Sequence, residues 1–212
     1  MSTIAVVDYG MGNLRSVSKA LEHVAPAHRV LVTSDPAAVD AAERVVFPGQ
    51  GAMPDCIREL ERFGLREAVV RATRAKPLLG ICIGAQMLFE WSAEGDTPGL
   101  GIFRGEVVHF PPQALHEAAD GPLKVPHMGW NRVRQTSRHP VWGGIRDADR
   151  FYFCHSYFFR PEEKDLASGE SEYGLPFTCA VARDNIFAVQ FHPEKSHASG
   201  LRLLANFVSW TP

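Results

Sequence analysis

The chain has 212 residues, 45% of them hydrophobic and 22% charged, long and apolar enough for one domain over 1–212 with a substantial core. A formal net charge of -2 leaves no footprint for nucleic acid or an anionic membrane surface, and no apolar stretch nears the roughly 20 residues needed to cross a bilayer. The opening MSTIAVVDYG lacks a basic segment followed by an apolar run, so a cytoplasmic location is expected, with small molecules and proteins as partners.

In the first half, short β-rich apolar runs alternate with helical patterns. TIAVVDYG reads as a strand, LRSVSKALEHV as an amphipathic helix, HRVLVTS as a strand, DPAAVDAA as a short helix and RVVFPG as a strand. PDCIRELERFGLREAVVRATRA is helical with a break near Gly64, KPLLGIC is a strand, and GAQMLFEWS is predicted to be a helix. Strands alternating with helices imply parallel βαβ units. The second half changes character. GEVVHF, MGWNRVRQ, RFYFCHSYFF, FTCAVAR and NIFAVQFHPE are strand-like with turn residues between them, and SGLRLLANFVSW closes as an amphipathic helix with Ser199 as its expected N-cap. The expected fold is α/β: an open, mainly parallel sheet flanked by helices, flavodoxin-like, with a mixed or antiparallel extension in the second half.

The thiol at the end of PLLGIC stands out because it sits in a turn, flanked by Gly80 and Gly84. Gly-x-Cys-x-Gly copies the layout of a nucleophile elbow, and at a strand's carboxyl end it lies where open α/β sheets bind ligands. A following helix N-terminus would favour the thiolate. The alternative, a buried cysteine acting as a small hydrophobe, stays open on this stretch alone. Cys56, Cys154 and Cys179 lack this setting and read as structural; the four cysteines form no CxxC pair, no zinc pattern and no disulfide framework.

A cysteine nucleophile needs a base and a group to orient that base. His192, in FAVQFHPEKS, is the strongest candidate: Pro193 biases it toward extended backbone, which would bring the Glu194 carboxylate to the same side. His23, His28, His116, His139 and His197 read as surface or loop residues, and His109, His127 and His155 as core or binding residues. FPGQGAM ends a strand in glycines, Gly49 and Gly51 flanking Gln50, that let backbone N–H groups approach an oxyanion. A second donor would be the Ile83 N–H, directly after the thiol.

GICIGAQ, the downstream FHPE and the upstream Pro-Gly-x-Gly, in that arrangement, resemble the class I, triad-type glutamine amidotransferases. The resemblance implies L-glutamine as substrate, Cys82 as nucleophile, His192 as general base and acid, and Glu194 as its orienter. It also implies that Gln86 and the backbone around His155, Ser156 and Tyr157 hold the substrate, and that no metal or organic cofactor takes part. VVDYGMGNLRSV, KVPHMGWN and FYFCHSY are similar to a narrower branch of that family, glutaminase subunits of imidazole glycerol phosphate synthases, which pass ammonia to a (β/α)8 cyclase partner. On that likeness Asn13, Trp130, Tyr152 and Lys195 fall where the branch builds its partner interface and gate. Two positions depart from the family pattern: Gln50 stands where valine is common, and Ala85 where methionine is common. Competing expectations are a triad glutaminase serving another synthase and a non-catalytic relative that keeps only the fold.

Overall fold

The computed structural model describes residues 2–116 and 121–212. Its first half follows the alternation: β1 (Thr3–Val7), α1 (Leu14–Val24), β2 (Arg29–Thr33), α2 (Pro36–Ala41), β3 (Arg44–Gly49), α3 (Met53–Arg62), α4 (Arg66–Ala75) and β4 (Leu78–Cys82). The predicted break near Gly64 separates α3 from α4. A single helical turn, α5 (Ile83–Gln86), leads to β5 (Phe89–Ser92), β6 (Thr97–Pro98), β7 (Phe103–His109) and α6 (Pro112–His116). Then come β8 (His127–Arg132), β9 (Arg134–Gln135), β10 (Arg150–His155), β11 (Tyr157–Pro161), β12 (Ala167–Glu172), β13 (Pro176–Arg183), β14 (Ile186–Val189) and α7 (His197–Ser209).

β2, β1, β3, β4 and β14 lie side by side and all run parallel. All five residues of β4 and all four of β14 are buried, as expected for parallel strands covered on both faces. β13, β11 and β7 extend this sheet antiparallel, β5 pairs with β7 and β6 beyond them, and β12 and β9 branch from β13. β8 and β10 form a separate two-stranded ribbon. No helix among the described residues is long and apolar enough to cross a membrane.

Four expectations change. The helix predicted over GAQMLFEWS stops after one turn, because Phe89 and Trp91 are better strand residues than helix residues and the chain turns into pairing with β7 and β6. Ser199 does not cap α7; it lies inside that helix, with its hydroxyl donating to Asp149 Oδ2 at 3.0 Å, and Ser196 takes the N-cap place. RFYFCHSYFF is two strands rather than one. At Ser156 the chain leaves the β8–β10 ribbon and joins the main sheet, so His155, Ser156 and Tyr157 form a bend between sheets. Residues 193–195 form a 3-10 turn instead of extended chain.

The parallel register places the ends of β3 and β4 side by side, with Gly49 opposite Cys82. This approach requires bare glycine backbones: a methyl on Gly84 would overlap the Phe47 carbonyl oxygen, and one on Gly49 would overlap the Tyr9 hydroxyl and lie 2.7 Å from the Gly84 nitrogen. Gly84→Ala is therefore expected to destabilise the fold by about 1–3 kcal/mol, the range for forced overpacking. Urea unfolding followed by circular dichroism measures it, and an unchanged midpoint would contradict this account of the close approach.

Candidate active site

Cys82 ends β4 with φ 54° and ψ -115°, a left-handed conformation that a non-glycine residue adopts at a cost of about 1–3 kcal/mol. Such strain persists only where the surroundings over-determine it, and here the register of β3, β4 and β14 does so. The turn throws the thiol off the end of the sheet. The helix after it is four residues long, too short for a substantial macrodipole, so the expected help from a helix N-terminus is largely missing.

β14 runs parallel beside β4, with Val189 opposite Ile81, and carries the chain to His192 on the same edge. The His192 backbone is clamped: its N–H donates to Tyr152 O at 2.9 Å, and its carbonyl accepts from the Ser196 hydroxyl at 2.6 Å. The 3-10 turn then swings Glu194 back, so that His192 Nδ1 donates to Glu194 Oε1 at 2.9 Å, with the two side chains 3% and 1% exposed. Sequence reasoning foresaw this pairing but attributed it to extended backbone; the turn, with Pro193 at its first position, achieves it instead.

His192 Nε2 has no hydrogen-bond partner among the described residues, yet Cys82 lies close enough for its charge to act on the ring. Burial pushes the imidazole toward neutrality, but the Cys82 thiolate and the Glu194 carboxylate outweigh that effect and hold it up, to about 10. The arrangement can therefore hold a thiolate–imidazolium pair, the ionised form needed for attack on an acyl group.

Cys82 lines a cavity of about 210 Å³, shared with Gln50, Gly51, Ile83, Gln86, Glu94, Pro126, Cys154, His155, Ser156 and Tyr157. That is smaller than the roughly 300 Å³ at which pockets for drug-sized ligands begin, and suits something the size of an amino acid. A wider cleft of about 590 Å³ across β7, β11 and β13 contains no cysteine or serine and lies away from the triad. Gln86 is buried; its Nε2 donates to Gln190 Oε1 at 3.0 Å and to Tyr157 O at 3.3 Å, while its Oε1 has no partner among the described residues. Beneath the 155–157 bend runs a directed chain. His155 Nδ1 donates to Tyr157 O at 2.7 Å, His127 Nδ1 donates to His155 Nε2 at 2.9 Å, and Asn131 Nδ2 donates to His127 Nε2 at 3.3 Å. The Tyr157 carbonyl can only accept, which fixes both tautomers. Burial keeps these two rings neutral, His127 at about 4 and His155 at about 3.

The oxyanion loop is held from two sides. Tyr9 donates to Pro48 O at 2.9 Å, and the Cys56 thiol, pushed up to about 11 by burial, donates to Gln50 O at 3.7 Å. Cys179 is buried as expected, but Cys154 borders the cavity. Of the expected interface residues, Trp130 and Tyr152 pair across the β8–β10 ribbon with rings 6.1 Å apart, and Lys195 Nζ lies 5.8 Å above the Tyr152 ring. Trp130 is 42% exposed and stacks on His197. Asn13 is the N-cap residue of α1, where its side chain makes no capping bond among the described residues. His139, expected at the surface or in a loop, lies in a loop but packs between Phe187 and Trp210, and burial lowers it to about 4.

Sequence reasoning missed four residues of the site. Gln190 contacts Cys82, Glu94 lines the cavity while accepting from the Met53 N–H at 2.9 Å, Ser196 holds His192, and Cys154 borders the cavity. Gln190 and Ser196 lie within four residues of His192, so nearness to the FHPE motif was the available signal. Glu94 follows a segment read as helix and carried none.

A strained thiol on a parallel-sheet edge, beside a buried carboxylate-held imidazole and an amino-acid-sized cavity, defines a cysteine acyltransferase site of the triad type. The chain belongs to the class-I glutamine amidotransferase family, whose sequence pattern matches residues 5–210. It is 66% identical to the imidazole glycerol phosphate synthase subunit HisH of Dechloromonas aromatica over 99% of this chain and 97% of that one. With the HisH subunit of Aromatoleum aromaticum it shares 67% identity over the full length of both. Among solved structures, a Thermoplasma acidophilum protein named for GMP synthase superposes with a TM-score of 0.70 at 20% identity, covering 99% of this chain and 93% of that one.

The neutral His127–His155 pair makes stability pH-dependent. The unfolded chain protonates both near the ordinary value of 6.5, whereas the folded state resists until about 4 and about 3. Stability from this pair is thus whole above pH 6.5 and falls as pH drops toward 4, by about 1.4 kcal/mol per pH unit for each ring. His127→Phe, which keeps the stacking against Phe153 and Tyr173, should reduce the slope of unfolding free energy against pH by about one proton in that window. An identical slope would contradict the assignment of a neutral His127.

Proposed function

We propose that this chain is the glutaminase subunit of an imidazole glycerol phosphate synthase, acting in histidine biosynthesis as a single catalytic domain over 1–212 in the cytoplasm. The observation carrying this reading is the strained Cys82 beside the His192–Glu194 pair at a cavity sized for glutamine. End-to-end identity with HisH subunits supports the choice of synthase.

In the proposed reaction the Cys82 thiolate attacks the glutamine side-chain carbonyl carbon, and backbone N–H groups of the Gly49–Gly51 loop and of Ile83 receive the oxyanion. The His192 imidazolium gives its proton to the departing nitrogen, releasing ammonia and leaving a glutamyl thioester. Water, deprotonated by His192, then attacks the thioester, glutamate departs and the thiolate is restored. Glu194 keeps Nδ1 protonated, so that Nε2 is the nitrogen that exchanges protons with the substrate. Gln86, His155, Ser156 and Tyr157 seat the amino-acid end of the substrate, and the Glu94 carboxylate at the cavity wall suits its ammonium group. Ammonia passes to a (β/α)8 cyclase, which joins it to a phosphoribulosyl aminoimidazole carboxamide nucleotide. Trp130, Tyr152 and Lys195 form the docking face, with Asn13 near the gate.

Glutamate release is measured for the chain alone, with its cyclase, and with cyclase plus nucleotide ligand. Large stimulation in the third condition is expected; fast turnover by the lone chain would move the protein toward a free-standing glutaminase. Cys82→Ala should abolish glutamine-dependent synthesis while ammonia-dependent synthesis by the complex continues, and loss of both would make Cys82 structural. Glu194→Gln should lower kcat by a factor on the order of 10²–10⁴, as when the orienter of a triad histidine is neutralised.

A further inference from the structure

Gln190 is fully buried at the end of β14, and its backbone N–H donates to Cys179 O at 2.8 Å, which fixes where its side chain begins. One end of that side chain touches the sulfur: Nε2 donates to Cys82 Sγ at 3.7 Å. The other end, Oε1, accepts from Gln86 Nε2 at 3.0 Å. The amide has one sensible orientation. Reversed, it would set an oxygen against the negative sulfur and an N–H against the donors of Gln86.

The consequence reaches the cavity. Both N–H groups of Gln86 are committed, to Gln190 Oε1 and to Tyr157 O, so the amide of Gln86 cannot flip without losing them. Its Oε1 is left buried and unpartnered among the described residues, in a side chain that lines the 210 Å³ cavity.

We propose that Gln190 is a positioning residue with two distinct effects: its N–H stabilises the Cys82 thiolate, and its oxygen locks the Gln86 side chain in place at the wall of the substrate cavity. The proposal rests on Cys82 being the nucleophile and adds a residue that couples nucleophile and substrate seat through one amide. A hydrogen bond to the charged form favours that form, and this donor supplies at the sulfur part of what the single-turn α5 cannot.

Substitution separates the two effects. Gln190→Glu keeps an acceptor for Gln86 but replaces the donor at sulfur with a negative charge, while Gln190→Met keeps the length and lacks both groups. The first measurement is the rate of iodoacetamide labelling of Cys82 in the full chain against pH, with the modified peptide identified by mass spectrometry. The second is glutaminase kcat and KM of the complex with its cyclase. For Gln190→Glu the labelling midpoint should move up by about one pH unit or more, with kcat at neutral pH reduced about tenfold and KM within about threefold of wild type. For Gln190→Met the midpoint should move up less and KM should rise about tenfold. A general loss of packing would not leave KM near wild type in one variant while raising it in the other. An unmoved labelling profile in Gln190→Glu overturns the sulfur contact, and an unchanged KM in Gln190→Met overturns the hold on Gln86. If Gln190→Glu does not fold, Gln190→Met alone decides, since it tests both effects. Glutamine turnover by Cys82→Ala would instead sink the nucleophile assignment itself, whatever the Gln190 variants do.

Discussion

The parallel register of β3, β4 and β14 is the constraint on which the site depends. It sets Gly49 opposite Cys82 and brings β14 alongside, so a glycine loop, a strained thiol and a histidine emerge on one edge of one sheet. None of the three is near the others in sequence. The β3 loop and the elbow approach so closely that the Gly49 and Gly84 positions have no room for a Cβ, and Tyr9, from the end of β1, closes the back of the same junction through Pro48. A slip of one residue in any of these strands would turn its side chains to the opposite face and dismantle the edge.

Charge is distributed around this edge with little solvent to help. Glu194 and His192 are both almost fully buried, and an isolated buried charge of either sign is expensive. They are tolerated as a set, because thiolate, imidazolium and carboxylate alternate in sign. The neighbouring His127 and His155 show the opposite solution: they are kept neutral by burial and satisfied by a chain of hydrogen bonds that ends on Asn131. Two neighbouring buried histidine environments thus favour opposite charge states, and the difference is the presence or absence of a facing anion.

The sequence was informative where chemistry is local and poor where it depends on sheet assignment. βαβ alternation, the Gly-x-Cys-x-Gly turn and the His-Pro-Glu motif each lie within a short span of chain, and their placement in the structure follows from local patterning. The helix expected over 84–92 was wrong because Phe89 and Trp91 are recruited by β7, a partner that no local period reveals. The split of RFYFCHSYFF at Ser156 has the same cause. Its residues alternate as one strand would, but the two halves pair with different sheets, and the pocket wall at His155–Tyr157 exists because of that exchange. Gln190 was illegible for another reason: an amide in an apolar strand has no chemistry until its two neighbours, Cys82 and Gln86, are brought to it by the fold.

The division of labour along the chain follows from these facts. The first half supplies a thiol in a strained turn and a helix of one turn that contributes little to ionising it. What raises the proton affinity of His192, and what donates to the sulfur, comes from β14 and the turn after it. β14 is also the strand that joins the parallel half of the sheet to its antiparallel extension, through β4 on one side and β13 on the other. The groups that face the nucleophile are therefore held by the same pairing that unites the two halves of the fold, so a chain with its first half formed and β14 undocked would hold the thiol without its base. Ser196 extends the link outward, accepting from the Tyr152 N–H and donating to the His192 carbonyl, so the ribbon that exposes Trp130 is joined by hydrogen bonds to the histidine of the triad.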